Sequence, residues 1–472
     1  MSRRTLGCVA LFAMAWAIAR AAFQSITIDE ATTYNIFVFN RRILWYGANN
    51  HILNSVLMYG FTKMFGLSQF TVRLPALLGA AFYITAAYRL CRLLGTSLLL
   101  QLTVFVCLVF NPFIFDYLVA ARGYGLALGF LLWAIVYSAE AHLHERSLVL
   151  ACAVSSVCAG MSVNANFSFA FVNLSAMAAI LLWAWYQRPK QWIRLLAASV
   201  LPGAAAVAIV SGYALLHWHP GELIYGASSL GETFGSIIES SLFHAGLDFL
   251  ALLVFPLVGV TGLVWLLFSA TRIAPLGWVA AAIFAVTVAI HWVSFRMFGL
   301  LLPKDRTAIY FFPLFMIVAG VLAAVPPSSR LSRNMRVCFI ASLAVMAGYC
   351  LMCLRLTYFK EWSWDSDVQK TYAVLSCLNR EQKVTNVAST WPYHAPLTFY
   401  LHAGPASMRI DENFTPQQTQ VYVVDTLHTP EALEGKDLKI FYRSPTTDLV
   451  LAASPQVAET LSSALASKAC AL

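Results

Sequence analysis

The feature that most constrains this chain is a succession of long apolar runs. Each is near the roughly 20 residues that carry a helix across ~30 Å of hydrocarbon. They lie at 6–23, 72–91, 97–118, 122–141, 148–163, 166–186, 193–216, 246–269, 276–295, 307–325 and 337–356, eleven in all. In lipid every backbone N–H and C=O must be satisfied within the segment, so runs of this length dictate helices. Charged residues make up 11% of the chain and hydrophobic ones 60%, too little charge to coat a water-facing surface. That excludes an ordinary soluble enzyme, a disordered chain and a coiled coil. The net charge is +9, from 31 Lys and Arg against 22 Asp and Glu. It does not point to nucleic acid, because the basic residues sit mostly between the apolar runs, where they set topology.

Met1 to Arg4 followed by an apolar run has the outline of a signal peptide. However, Ala21-Ala22-Phe23 is a poor cleavage site and many spans follow, so the segment reads as a retained first helix. With the N-terminus cytoplasmic, the inner segments carry Arg3, Arg4, Arg89, Arg92, Arg146, Arg188, Lys190, Arg194, Arg272, Arg330, Arg333 and Arg336. The short outer connections at 119–122, 164–165 and 296–306 carry only Arg122, Arg296, Lys304 and Arg306, and the outer loop 217–245 has no Lys or Arg. The positive-inside bias supports this orientation. An odd number of spans then places the tail outside.

The expected organisation is a polytopic α-helical membrane domain over 1–357, with a first outer loop at 24–71, and an extracytoplasmic soluble domain over 358–472. Within the loop, Ile52, Leu53, Val56, Leu57, Phe61 and Phe65 recur at helical spacing with Asn54, Ser55 and Lys63 between them. That predicts an amphipathic helix lying in the membrane interface. The tail has ordinary composition. Strand-like runs at 384–388, 420–424, 438–442 and 449–452, with a helical stretch at 368–378, predict a small α/β domain. Most of the ten cysteines lie inside apolar runs and read as buried hydrophobes, whereas Cys377 and Cys470 lie in the tail and could pair outside the cell. Asn166 and Asn413 begin glycosylation-type tripeptides that matter only in a eukaryotic host. In the loop 217–245, His217-Trp218-His219 with Glu222, Glu232, Glu239 and His244 is a weak metal pattern.

Polar residues near a membrane boundary are costly unless they are wet, paired or useful. Four groups gather at the outer ends of the spans. Asp29 and Glu30 follow the first span, and adjacent carboxylates on a helix point about 100° apart. One can face a cavity while the other orients the loop; equally, the two could be a solvated pair favouring the helix dipole. Asn50-His51 opens the amphipathic stretch, His51 as a donor to an anion or Asn50 as a helix cap. Arg73 opens the second span, placed to snorkel. Asp116 to Tyr124 forms an outer turn in which Asp116 and Arg122 can pair, and in which a continuous helix would set Asp116 and Tyr124 on one face. Lys304, Arg306 and Tyr310 enter the tenth span, where they can hold a phosphate or anchor a lipid headgroup.

In order and spacing these pieces resemble the GT-C membrane glycosyltransferases, family 39 type, which includes protein O-mannosyltransferases and the lipid A aminoarabinose transferase. The matching residues are Asp29-Glu30 with Tyr34 after them, Asn50-His51 with its apolar helix, Phe65-Gly66, Phe70-Thr71-Val72-Arg73-Leu74-Pro75, Ala121-Arg122-Gly123-Tyr124, and the Arg306/Tyr310 segment. The resemblance implies transfer of a sugar from a polyprenyl-phosphate carrier to an acceptor hydroxyl of a lipid, glycan or protein on the outer side. Asp29 would then be the general base, supported by Glu30. Lys304 and Arg306 would steady the departing phosphate, with His51 and Arg122 as further candidates. Relatives carry a Glu two residues before the turn Arg, where this chain has Ala120; Asp116, one turn earlier, is the available acid. Ile52-Leu53 stands in place of the Pro-rich continuation after the His. No cofactor is required, since Arg and Lys can hold one phosphate; a divalent metal is optional and not indicated. The competing readings are a transporter or flippase for a lipid-linked sugar, against which the nearly charge-free span centres argue, and a lipid-linked oligosaccharide ligase. The expected location is a bacterial inner membrane with the tail outside.

Overall fold

The computed structural model describes residues 2–47, 49–95, 97–218, 225–243, 273–327, 329–412 and 418–466. Among them, eight helices are long and apolar enough to cross a membrane: 4–23, 69–93, 124–143, 148–165, 167–187, 189–216, 274–298 and 332–352. A ninth is possible if a bent pair counts as one span. The chain is an integral membrane protein. The expected span at 246–269 lies outside the described residues.

Two expected spans take a different form. The run 97–118 is two helices, Leu98–Phe110 and Pro112–Val119, bent by 57°. The sequence writes the break: Asn111 leaves helical geometry, and its side chain accepts from the Phe113 and Ile114 amides at 3.1 and 3.2 Å. Pro112 then starts the second helix with no amide to lose. The run 307–325 is helical only over Phe311–Ala324, 14 residues, because its first residues form a tight turn, Asp305–Ala308.

The fold groups into two compact units. The first comprises Met1–Ala19, Leu44–Asn54 and Pro75–Leu354. Its centre is the stretch from Leu100 to Ala141, buried at nearly every position. Lipid-facing helices show the converse, with Ile209 at 83% and Val345 at 74% exposure. Small residues allow close helix contact without help from a hydrophobic drive. A Cβ on Gly160 would come within 2.5 Å of the Gly203 carbonyl, and the Gly203 amide donates to Ser156 Oγ at 2.9 Å.

The second unit comprises Arg20–Ile43, Ser55–Leu74 and Arg355–Leu472. It contains a five-stranded mixed sheet: β1 (Asn386–Ser389), β2 (Arg409–Asp411), β3 (Val421–Asp425), β4 (Lys439–Arg443) and β5 (Leu449–Ala453), in the order β2-β1-β3-β5-β4. β1 pairs in parallel with β2 and β3, while β5 runs antiparallel to β3 and β4. The central β3 and β5 are buried throughout and read as unbroken apolar runs. Four strands fall within two residues of their expected positions. The edge strand β2 has three residues and no periodicity to betray it. Cys377 is disulfide-bonded; Cys470 and the Asn413 tripeptide lie outside the described residues.

The expected interfacial helix forms over Ile52–Phe65. Its faces differ from the expected division. Asn54 and Ser55 are fully buried, whereas Val56, Met64 and Phe65 are exposed. The inward polar pair has a use, since Asn54 Nδ2 donates to the Ala121 carbonyl at 3.0 Å.

Candidate active site

Asp29, Glu30, Tyr34 and Arg73 lie in the second unit. A short helix, Ile28–Thr33, starts at a capping box. The Glu30 amide donates to Thr27 Oγ1 at 3.2 Å, and the Thr27 amide donates to Glu30 Oε2 at 2.9 Å. Both orphan donors of the helix start are satisfied reciprocally. The Glu30 carboxylate then meets Arg73 bidentately, Nε to Oε1 at 2.9 Å and Nη2 to Oε2 at 2.7 Å. Arg73 is not at an interface as a snorkelling residue would be: it is fully buried. Its other donors reach the carbonyls of Ala21 (3.2 Å), Gln24 (2.6 Å) and Ser25 (2.7 Å), and its plane lies over the Phe359 ring at 5.0 Å. A buried guanidinium is tolerable when its fork is filled in this way.

The capping box fixes the Glu30 side chain to Thr27 and Arg73, and Asp29 is the partly exposed acid beside it. Tyr34 follows in a π-helical turn, Tyr34–Phe39, packed edge-on against Phe399 with ring centres 5.4 Å apart. Burial raises its phenol pKa. The tail supplies more of these surroundings. Asp365 Oδ2 accepts from the Ile28 amide at 2.7 Å, and the Tyr400 hydroxyl accepts from the Ile26 amide at 2.9 Å while donating to Gln69 Oε1 at 2.6 Å.

His51, Arg122, Lys304 and Arg306 lie in the first unit. Asn50 is fully buried, and its side-chain Nδ2 donates to the Trp45 carbonyl at 2.6 Å. His51 is buried beside the 120–123 turn, its ring 5.6 Å from that of Tyr124. Gly123 makes this approach possible. Its φ is +74°, and a Cβ there would stand 2.2 Å from the Ala165 carbonyl oxygen and 3.0 Å from His51 Cβ. No continuous helix joins Asp116 to Tyr124: the chain turns extended at Ala120, and the two belong to separate helices, Pro112–Val119 and Tyr124–Leu143. Asp116 is fully buried in the first of them. Arg122 is 2% exposed, and its Nη2 donates to Asn49 Oδ1 at 3.2 Å.

Burial, then the charges of Arg122 and Arg306, hold His51 well below the usual histidine pKa. Both guanidinium groups therefore act on one neutral imidazole, whose Nε2 is buried without a hydrogen-bond partner. Arg306 stacks over the Tyr225 ring at 5.4 Å. Its turn is anchored where the Asp305 amide donates to Ser236 Oγ at 2.9 Å and the Tyr225 hydroxyl donates to Asp305 Oδ2 at 2.5 Å. Lys304 is paired with Glu232 at 2.7 Å. Its ammonium brings Glu232 down to about 2, and the carboxylate raises Lys304 in return. Aromatic rings floor this region. Tyr124 leads to Phe169 (6.3 Å), Phe169 to Tyr310 (5.2 Å), and the buried Tyr310 hydroxyl meets His291 Nε2 at 2.7 Å.

The structure thus gathers His51, Arg122, Tyr124, Arg306 and Tyr310 in one unit and Asp29, Glu30, Tyr34 and Arg73 in the other. Sequence reasoning missed Asp365, Tyr400, Tyr225 and His291. Tyr225 lies in the outer loop noted for its histidines, but neither it nor the other three carries a spacing signal. His219, Glu222 and His244 lie outside the described residues.

No protein-family model and no curated sequence matches the chain. Solved structures do. ArnT from Cupriavidus metallidurans in the apo state aligns with a TM-score of 0.52 at 12% identity, covering 96% of this chain and 98% of that one. The same protein bound to undecaprenyl phosphate aligns with a TM-score of 0.54 at 13% identity over the same shares. The chain has the GT-C fold. At this identity the likeness is one of backbone path, not of side chains. The GT-C path includes the tail, since nearly the whole of each chain is covered.

Proposed function

We propose that this GT-C protein is a glycosyltransferase that takes a sugar from a polyprenyl-phosphate carrier and passes it to an acceptor hydroxyl with inversion. The observation that carries the reading is the buried, unpartnered His51 Nε2 beside Arg122 and Arg306. The neutral imidazole leaves one buried nitrogen unanswered, and the positive field of two guanidinium groups reaches it. A phosphate monoanion or dianion answers both, through charge-assisted bonds to the guanidinium forks. Because His51 stays neutral, one of its ring nitrogens carries a proton that it can donate in a hydrogen bond to a phosphate oxygen. Lys304 is the weaker candidate, since Glu232 already neutralises it.

In the proposed step Asp29 takes the proton of the acceptor hydroxyl, the oxygen forms a bond to the anomeric carbon, and the bond from that carbon to the phosphate oxygen breaks. The electron pair leaves on the carrier phosphate, whose added charge falls on Arg306 and Arg122. A single displacement needs one base, so Glu30 is free to act as the anchor of the Asp29 helix. The guanidinium groups can take the charge a metal would otherwise take. The likeness to an ArnT structure bound to undecaprenyl phosphate supports the carrier class. The acceptor is a lipid, glycan or protein hydroxyl on the extracytoplasmic side of a bacterial plasma membrane.

Binding of undecaprenyl phosphate to the purified protein tests the carrier role. Arg306→Ala should weaken it roughly 10- to 100-fold, the loss of one charge-assisted contact. Unchanged affinity would remove the phosphate role. Bound carrier with no transfer from any undecaprenyl-phosphate-linked pentose or hexose would instead favour a flippase.

A further inference from the structure

We propose that Asp365, in the tail, is a positioning residue for Asp29, fixing the start of the helix that carries it. This rests on the reading of Asp29 as the base. Helix Ile28–Thr33 has six residues, far too few to hold its own conformation. Thr27 and Glu30 close its capping box, and Arg73 holds Glu30. The first helical amide, Ile28, is left for an external acceptor, and Asp365 Oδ2 takes it at 2.7 Å. Asp29 is the next residue, so any slip of Ile28 is carried directly to its carboxylate. A displacement of about 1 Å at a reacting group is enough to cost two orders of magnitude in rate.

Three observations separate Asp365 from an ordinary capping acid. It comes from a part of the chain 337 positions away, so it is a tertiary contact and not a local turn. It is 1% exposed, and its second oxygen, Oδ1, is buried without a partner. Its neighbours in the tail grip the residues just before the helix: Ser25 Oγ donates to the Ser366 carbonyl at 2.7 Å, and the Gln369 amide donates to Ser25 Oγ at 3.3 Å. The contact therefore belongs to a continuous clamp around residues 25–28.

The charge state suits the role. Burial holds the Asp365 carboxyl well above the usual carboxylate range; the Ile28 amide opposes this, and Asp29 and Glu30 add to it. The titratable groups that face it are those two acids on the short helix and Tyr393, just before helix His394–Ala403. A neutral carboxyl accepts the Ile28 amide without setting a second negative charge against the base.

The test uses the full-length protein in detergent, with undecaprenyl-phosphate-linked pentoses and hexoses as donors and hydrogen exchange of residues 26–33 as an independent readout. Asp365→Ala should speed exchange there and lower kcat roughly 10- to 100-fold, with donor KM within about twofold. Asp365→Asn, which keeps the accepting oxygen, should retain kcat and leave the pH profile unmoved. Ile28→Pro removes the donor from the other side. Proline is accepted at the first helical position, and Thr27 before it is already extended (φ −85°, ψ 156°). It should reproduce the kcat loss, and the double variant should lose no more than either single one. It also carries the test should Asp365→Ala fail to insert. Unchanged exchange and kcat in the single variants, additive losses in the double, or an Asn variant as impaired as the Ala one would overturn the proposal. Faster exchange in Asp365→Ala alongside an active Asp29→Asn protein would overturn the base assignment alone.

Discussion

Two arginine neighbourhoods, one in each unit, are built on opposite plans. Arg73 in the second unit is saturated: a bidentate carboxylate, three carbonyls and an aromatic face occupy its guanidinium. In the first unit, Arg122 and Arg306 crowd a neutral histidine, and that histidine's Nε2 has no partner. The first plan is that of a rivet; the second is the one proposed above as a receptor for an anion. Arg73 and Arg122 are both buried, so residue type and depth do not tell a structural cation from a binding one. What distinguishes the first-unit neighbourhood is the buried His51 Nε2, which has no hydrogen-bond partner.

The sharpest way to break this contrast is at the acid beside the rivet. Asp29→Asn should abolish sugar transfer, by roughly 10²- to 10⁴-fold, the span of a lost general base. Membrane insertion and undecaprenyl phosphate binding should stay normal. Near-normal turnover would move the base elsewhere.

Next comes the rivet. Arg73→Ala strands the buried Glu30 carboxylate and should cost about 3–5 kcal/mol of stability, the range for a buried pair broken on one side. The readout is a fall in melting temperature and in folded yield. A receptor arginine should behave oppositely, with Arg306→Ala losing carrier affinity at nearly unchanged melting temperature. Similar stability losses in both variants would erase the distinction.

The smallest effect is in pH dependence. His51 is held below its ordinary value of 6.5, so below that pH the unfolded chain binds a proton that the folded one refuses. Its contribution is complete above about pH 6.5 and is lost on acidification, by at most about 1.4 kcal/mol per pH unit. His51→Gln should flatten the acid side of the stability profile. A profile equally steep with and without His51 would mean that the imidazole charges freely in the folded protein.

The apolar runs were legible because each span is a local statement about some 20 consecutive residues. The bend at Asn111-Pro112 was equally local, but an apolar-run count averages over it. In the tail, β3 and β5 announce themselves as buried, mostly apolar runs, whereas β2 has three residues and takes its identity from pairing with β1. At the site, Asp29, His51, Arg122 and Arg306 could be picked out because polar residues at span ends are costly. Their roles could not be read in the same way. Arg73 looked like an interfacial anchor because a sequence does not state burial.

The sequence by itself determined that this is a helical membrane protein with a folded tail and polar groups near the ends of its spans. Those properties follow from periodicity, run length and composition, all of them short-range along the chain. Tertiary structure alone decided that Glu30 is spent on Arg73, 43 positions away, and that Asp365, 337 positions away, caps the helix carrying Asp29. It also decided that His51 shares its surroundings with two arginines. Such assignments depend on which groups satisfy one another once water is excluded, and that accounting exists only in three dimensions.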